Sequence, residues 1–115
     1  NHPKEQWSER QIIEAIKKYK RVIDIPFPSI SPKSNSHQIE KKAQKYYDKI
    51  IKLLQKSSDK KNAVHLMGEF TFVYHLAKIL KDNNISVIVS TTNRIVEEKN
   101  GKKVVTFDFV KFREL

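Results

Sequence analysis

The stretch AVHLMGEFTFVYHLAKILKDNNISVIVSTTNR, residues Ala63 to Arg94, decides the fold of this chain. Residues 63–67 form a short apolar run of the length of a strand buried in a parallel sheet. After Gly68–Thr71, apolar side chains recur at helical spacing, which predicts a helix. They are Phe72, Val73, Leu76, Ile79 and Leu80. Residues 85–89 read as a second, β-branched strand, so the stretch predicts a βαβ unit.

Each of the two predicted strands is followed by a polar segment. The helix between them should end at residues 82–84, because Asn tolerates the left-handed conformation common at helix C-termini. In a βαβ unit the loops after both strands open on one edge of the sheet, where open α/β folds bind ligands. We therefore expect Gly68–Thr71 and Ser90–Arg94 to be loops that lie side by side.

The first half of the chain predicts two more helices. Residues 8–11 have the capping-box pattern, which starts a helix ending near residue 19. Residues 21–25 are a plausible strand, and residues 26–32 must be irregular because three prolines remove three backbone donors. An amphipathic helix is expected over residues 36–55.

The last quarter of the chain predicts a β-hairpin, because Asn100-Gly101 stands between two alternating segments. The order of elements predicts a single α/β domain over residues 1–115. Its fold should be Rossmann-like, a mainly parallel sheet flanked by helices, with a C-terminal β-hairpin. An opening helix normally follows a strand, so we expect either a first strand upstream of Asn1 or a sheet that begins one strand short.

Composition limits the function classes. The 115 residues hold 23 Lys and Arg against 13 Asp and Glu, and the net charge of +10 suits an anionic partner. The alternative is that scattered lysines only solvate helix faces. The absence of Cys excludes disulfides and thiolate metal sites. No apolar run approaches the roughly 20 residues needed to cross a bilayer, so we expect a cytoplasmic protein without a membrane partner.

The first polar segment, Gly68-Glu69-Phe70-Thr71, is a candidate anion site. It is neither a Walker loop nor a dinucleotide fingerprint. A glycine nevertheless allows a ligand close to the backbone, and the helix that follows presents free amides to an anion. The alternative is a tight turn, with Thr71 as the helix cap.

The second polar segment, Thr91-Thr92-Asn93-Arg94, supplies two hydroxyls, an amide and a guanidinium. Arg suits phosphate recognition because its donors form a planar fork. The alternative is that Arg94 simply pairs with Glu69 or Glu97. Arg113 either returns to the same sheet edge or is an ordinary terminal charge.

The histidines give no metal signal. His65 and His75 are ten residues apart with no third ligand at metal spacing, so we expect structural roles for both and no metal or cofactor. His2 differs because it lies in a loop that should open onto the same sheet edge. It is therefore a candidate for proton transfer.

Three segments carry a resemblance to a known family. They are residues 67–71, residues 90–94 and the closing Phe107-Asp108-Phe109-Val110-Lys111-Phe112-Arg113-Glu114. Together they resemble the CRISPR-associated Rossmann-fold proteins of the CARF class, in particular the stand-alone ring nucleases. Asn1-His2-Pro3 is similar to the loop after the first strand of that class.

The resemblance implies a function in antiviral defence. A homodimer would bind cyclic tetra- or hexa-adenylate across its twofold axis and cleave it without a metal, which switches off type III CRISPR signalling. No direct DNA binding is expected. The implied catalytic residues are Arg94, Thr92 and His2. The implied ligand-binding residues are Asn1, Gly68, Glu69, Phe70, Thr71, Thr91, Thr92, Asn93, Arg94 and Arg113.

Two other function classes remain open. One is a non-catalytic sensor or binding module of the CARF class, which needs the same pocket without turnover. The other is a protein-interaction or nucleic-acid-binding domain, whose affinity would fall steeply with salt. For the ring nuclease and for the sensor we expect a dimer axis close to the two polar segments, with surplus apolar side chains at the interface. These are Phe27, Ile30, Phe107, Phe109 and Phe112.

Overall fold

A computed structural model describes residues 2–58 and 61–115. A single 3₁₀ turn at Lys4–Gln6 precedes three helices and three strands. In chain order these are α1 (Glu9–Tyr19), α2 (Ser36–Lys56), β1 (Val64–His65), α3 (Phe70–Asp82), β2 (Val87–Lys99) and β3 (Lys102–Glu114).

The helices begin and end close to where their capping residues predict. The Ser8 hydroxyl accepts a hydrogen bond from the Gln11 backbone amide at the start of α1. At the start of α2, Asn35 and Gln38 form a complete capping box. The chain leaves α3 through Asn84 at φ 60°, which confirms the predicted left-handed exit.

The sheet has three strands in the order β1-β2-β3. The pair β1–β2 is parallel, with Val64 opposite Val87, as the βαβ pattern predicts. The pair β2–β3 is antiparallel from Ile88 opposite Glu114 to Lys99 opposite Lys102. Asn100 and Gly101 turn the chain with φ values of 54° and 75°, which confirms the hairpin.

The predicted fold class is wrong. The sheet is small and mixed, with one short parallel pair and one long antiparallel pair, so it is not the mainly parallel sheet of a Rossmann-like fold. The plausible strand at residues 21–25 does not form. Lys4 instead donates from its backbone amide to the Asp24 carboxylate and from Nζ to the Val22 carbonyl. The prolines that follow further limit strand pairing there.

The prediction of a loop at Ser90–Arg94 is also wrong, because these residues lie within β2. The 13 residues of β3 need a partner along their whole length, and Thr91 and Thr92 are themselves good strand formers. The ladder therefore continues through this segment, and the irregularity is confined to a β-bulge between Thr91 and Thr92. Because alternate residues of a strand share a face, Ser90, Thr92 and Arg94 lie on one face of β2.

The core lies between α2, α3 and the first residues of the sheet. Helix α3 buries the predicted face, and α2 packs against it. The core side chains are Ile39, Ala43, Ile50, Leu66, Phe72, Leu76, Ala77, Leu80 and Val87. None of the helices in the described ranges is long and apolar enough to cross a membrane.

Candidate functional site

A cleft of about 640 Å³ opens between β1 and the irregular segment 22–29. Its floor is apolar and includes Tyr46 and Phe72, whereas Trp7 and His65 stand at the side nearest α1. The volume lies within the range of roughly 300–1,000 Å³ that is typical of small-molecule sites. The cleft is therefore large enough for a nucleotide base and sugar.

Three polar side chains join α1, β1 and β2 beside this cleft. The Gln11 Nε2 atom donates to the Ser90 Oγ atom at 3.0 Å. The His65 Nε2 atom lies 2.7 Å from the same Oγ atom. The hydroxyl can donate its own proton to Nε2 or accept one from it, and the tautomer of the His65 ring decides between the two. We call Gln11, Ser90 and His65 the polar junction.

Aromatic rings enclose the imidazole of the polar junction. Trp7 meets His65 edge-on at 5.0 Å between ring centroids, and Phe112 does so at 5.7 Å. This burial lowers the pKa of the His65 imidazole to about 4, because it penalises the charged form. The ring is therefore neutral at pH 7, so one of its two nitrogens can accept a hydrogen bond.

The polar junction is better suited to binding than to nucleophilic catalysis. In a catalytic site with a nucleophile and a base, a third side chain orients the base. Here the third side chain, Gln11, bonds the Ser90 hydroxyl instead of the His65 ring. A histidine with a pKa near 4 is also a weak base at neutral pH. The junction fixes the position of α1, and with it Trp7, against the sheet.

Gly68 has a packing role in this structure. A Cβ atom there would lie 2.3 Å from the Phe27 ring, so only glycine leaves room for that side chain. Phe27 in turn packs edge-on against the buried Phe72 at 5.2 Å between centroids. The close approach that a glycine permits is thus made by the protein's own Phe27.

The start of α3 is occupied by a carboxylate of the chain. Glu69, not Thr71, is the N-cap, and its carboxylate accepts hydrogen bonds from the Thr71 and Phe72 amides, both at 2.9 Å. The bonds from Phe72 and Thr71 hold the pKa of this carboxyl below its usual value. Phe70 points outward and is 82% exposed. An anionic ligand at this helix end would have to displace Glu69.

The residues of the second polar segment are spread along β2. Thr91 is engaged by β3: its hydroxyl donates to the Lys111 carbonyl and accepts from the Lys111 amide. Thr92, Asn93 and Arg94 are exposed. Met67 lies beside Ser90, whose amide points at its sulfur at 3.2 Å, so the end of β1 does meet β2.

His2 and Arg113 are the candidates near the two ends of the chain. His2 is exposed, and its Nδ1 atom is 3.0 Å from the Gln6 side chain, while its carbonyl accepts from the Trp7 indole. Arg113 is exposed on β3 opposite Val89. The ligand-binding role predicted for Asn1 lies outside the described residues. Within those residues no group of three or more His, Asp or Glu side chains could hold a metal ion.

Sequence reasoning missed the polar junction and Trp7. Gln11 was assigned to the capping box, but its side chain reaches Ser90, 79 residues away. The available signal was a polar side chain, His65, inside one predicted strand and Ser90 directly after its predicted parallel neighbour. In the structure Ser90 lies two residues beyond Ile88, which is paired with His65.

One comparison with known proteins gives a match. A family model described as "Uncharacterized protein MJ1673 family" matches residues 1–113. The chain belongs to this family. The MJ1673-family match includes Trp7, the polar junction and all but the last residue of the hairpin, so the site is built entirely from the matched region. Searches of curated proteins and of solved structures found no match.

Proposed function

We propose that this protein binds a cyclic oligoadenylate, a cyclic tetra- or hexa-adenylate, as a homodimer. The observation that carries the proposal is the cleft beside Trp7, where a large aromatic ring stands next to polar strand residues in a chain of net charge +10. Tryptophan offers an extended ring on which an adenine can stack. The positive field attracts the phosphates of such a ligand.

The exposed face of β2 supplies polar groups next to the aromatic side of the cleft. Ser90 and Thr92 share a face, and Phe112, the partner of Ser90 on β3, lies 6.1 Å from Trp7 between ring centroids. In this proposal an adenine packs against Trp7, and the Thr92 hydroxyl bonds ribose or phosphate. Gly68 makes room for Phe27, which lines the cleft, and Glu69 caps α3, so neither is assigned to the phosphate.

Cleavage of the ring is the finer form of the proposal. A ribose 2′-hydroxyl would attack the adjacent phosphate while the protein holds the two in line and stabilises the added charge. Thr92 and Arg94 are the candidates for that stabilisation, and His2 for proton transfer. By cleaving the ring, the protein would end type III CRISPR signalling in the cytoplasm. Binding without turnover would make it a sensor or a sink instead.

The first test measures binding and cleavage in the same samples. Purified protein is titrated with cyclic tetra- and hexa-adenylate by calorimetry, and the samples are then separated by chromatography to detect linear products. We expect Trp7→Ala to weaken binding about tenfold or more, because loss of one base–aromatic stack costs about 1–3 kcal/mol. Trp7→Phe should keep most of the affinity.

A matched control comes from an aromatic residue outside the cleft. Tyr74 is 56% exposed on α3 and does not line the cleft, so Tyr74→Ala should leave binding unchanged. Unmodified rings together with no binding of either ligand would refute the proposal. Binding that collapses with salt and ignores Trp7→Ala would identify a polyanion-binding domain instead.

A further inference from the structure

The half of the hairpin farthest from the helices leaves an apolar stripe uncovered. We call residues 94–107 the hairpin arm; all of its residues are exposed. On the face shared with Ser90 it carries Val96, Val105 and Phe107, which are 47%, 41% and 66% exposed. An isolated two-stranded hairpin is marginally stable in water. The arm therefore needs something to cover this stripe.

The stripe continues into the body of the protein. Phe109 follows Phe107 on the same face of β3 and is buried. It packs against Phe112 at 5.0 Å between centroids, and Phe112 contacts the aromatic side of the cleft. An interface on the arm would thus adjoin the candidate site.

This face carries three charges, and the two on β2 complement themselves under a twofold rotation, while the third, Lys103 on β3, stands opposite Glu98 of its own subunit. Val96 lies at its centre, with Arg94 two residues before it and Glu98 two residues after it. If two arms pack face to face with their strands antiparallel and an axis near Val96, each Arg94 lies over Glu98 of the partner subunit. A surface that matches its own rotated copy is the requirement for an isologous dimer.

We propose that the hairpin arm is the homodimer interface, formed by the face that carries Arg94, Val96, Glu98, Val105 and Phe107. This deepens the proposed homodimer and changes the expected interface. Phe27 is packed under Gly68, and Phe109 and Phe112 pack in their own subunit, so Phe107 is the exposed aromatic of the predicted set. It also pairs Arg94 with Glu98 of the partner subunit, which leaves Thr92 as the candidate for charge stabilisation in ring cleavage.

The experiment is a charge-swap cycle read by analytical ultracentrifugation, with no nucleotide present. Arg94→Glu and Glu98→Arg should each raise the dimer dissociation constant at least tenfold, because each puts like charges together twice per dimer. The double variant restores opposite charges and should return the constant to within about threefold of wild type. Val96→Asp should give a monomer.

The matched control is Glu97→Lys, which reverses a charge on the same strand but on the opposite face. It should leave the dissociation constant unchanged. A wild-type protein that is monomeric at 100 μM, or a dimer indifferent to Val96→Asp, would overturn the proposal. So would a double variant as weak as the single ones. Because no ligand is used, failure here is distinct from failure of nucleotide binding.

Discussion

His65 shows how one buried side chain links packing to pH. Its pKa of about 4 in the folded protein lies below the roughly 6.5 expected when it is unfolded. Between these values the unfolded chain binds more protons, so stability falls as the pH falls from about 7 to 4. The full shift corresponds to about 3 kcal/mol.

The stability of the His65→Gln variant should therefore depend less on pH. Urea unfolding at pH 7, 6 and 5 gives the slope for wild type and variant, and we expect the wild-type slope to be the steeper. His37→Gln is the control, because His37 is exposed at the start of α2 and lies outside the polar junction. Equal slopes in wild type and His65→Gln would contradict a depressed pKa.

Residue-level prediction fails where a side chain has two possible partners. Gln11 can close a capping box or reach another element, and only the packing of α1 on the sheet selects Ser90. Gly68 likewise reads as room for a ligand, and only the position of Phe27 shows what fills it. Both choices depend on residues far away in sequence, which local patterns do not contain.

Helix α3 shows that an element can satisfy its own N-terminus. The Glu69 carboxylate bonds two of the free amides, so the site where an anion would bind is already taken. Replacing Glu69 by Ala should leave these amides free and create a weak anion site. We expect inorganic phosphate to raise the melting temperature of Glu69→Ala more than that of wild type.

Glu69→Gln serves as the comparison, because its amide oxygen can still accept a hydrogen bond but carries no charge. Its response to phosphate should lie between the other two. Equal phosphate responses in wild type and Glu69→Ala would show that the helix end attracts no anion even when vacant. Cyclic oligoadenylate that binds Glu69→Ala more tightly than wild type would place a ligand phosphate at this helix end.

Elements with strong local signals were predicted well. Helix α2 has an uninterrupted apolar face and caps at its start, and the hairpin turn has an Asn-Gly pair suited to positive φ. Strand β2 was predicted less well. Residues Thr91 to Arg94 are polar enough to suggest a loop, yet they also favour a strand strongly enough to pair. Pairing with β3 makes this segment a strand, and β3 becomes its partner only after the hairpin closes.

At the scale of the whole molecule, the fold divides into a packed body and an exposed arm. The body buries α2 and α3 against the start of the sheet, whereas the hairpin arm has β-ladder hydrogen bonds but no covering layer. Counting alternating helices and strands predicted a parallel sheet, but the count cannot show that one long antiparallel pair replaces several short strands. The dominant sheet contact is in fact the hairpin.

This division predicts that the arm is ordered by dimerisation while the body is not. In the proposed dimer, amides bonded across the arm, at residues 94–99 and 102–107, should exchange slowly with deuterium. In Val96→Asp they should exchange at least tenfold faster, because a lone two-stranded ribbon opens readily. Amides of α2 and α3 should keep their wild-type rates, since their contacts lie within one subunit. Mass spectrometry of exchanged peptides resolves the two regions. An arm that stays equally protected in a monomeric variant would show that it is stable alone and needs no second copy.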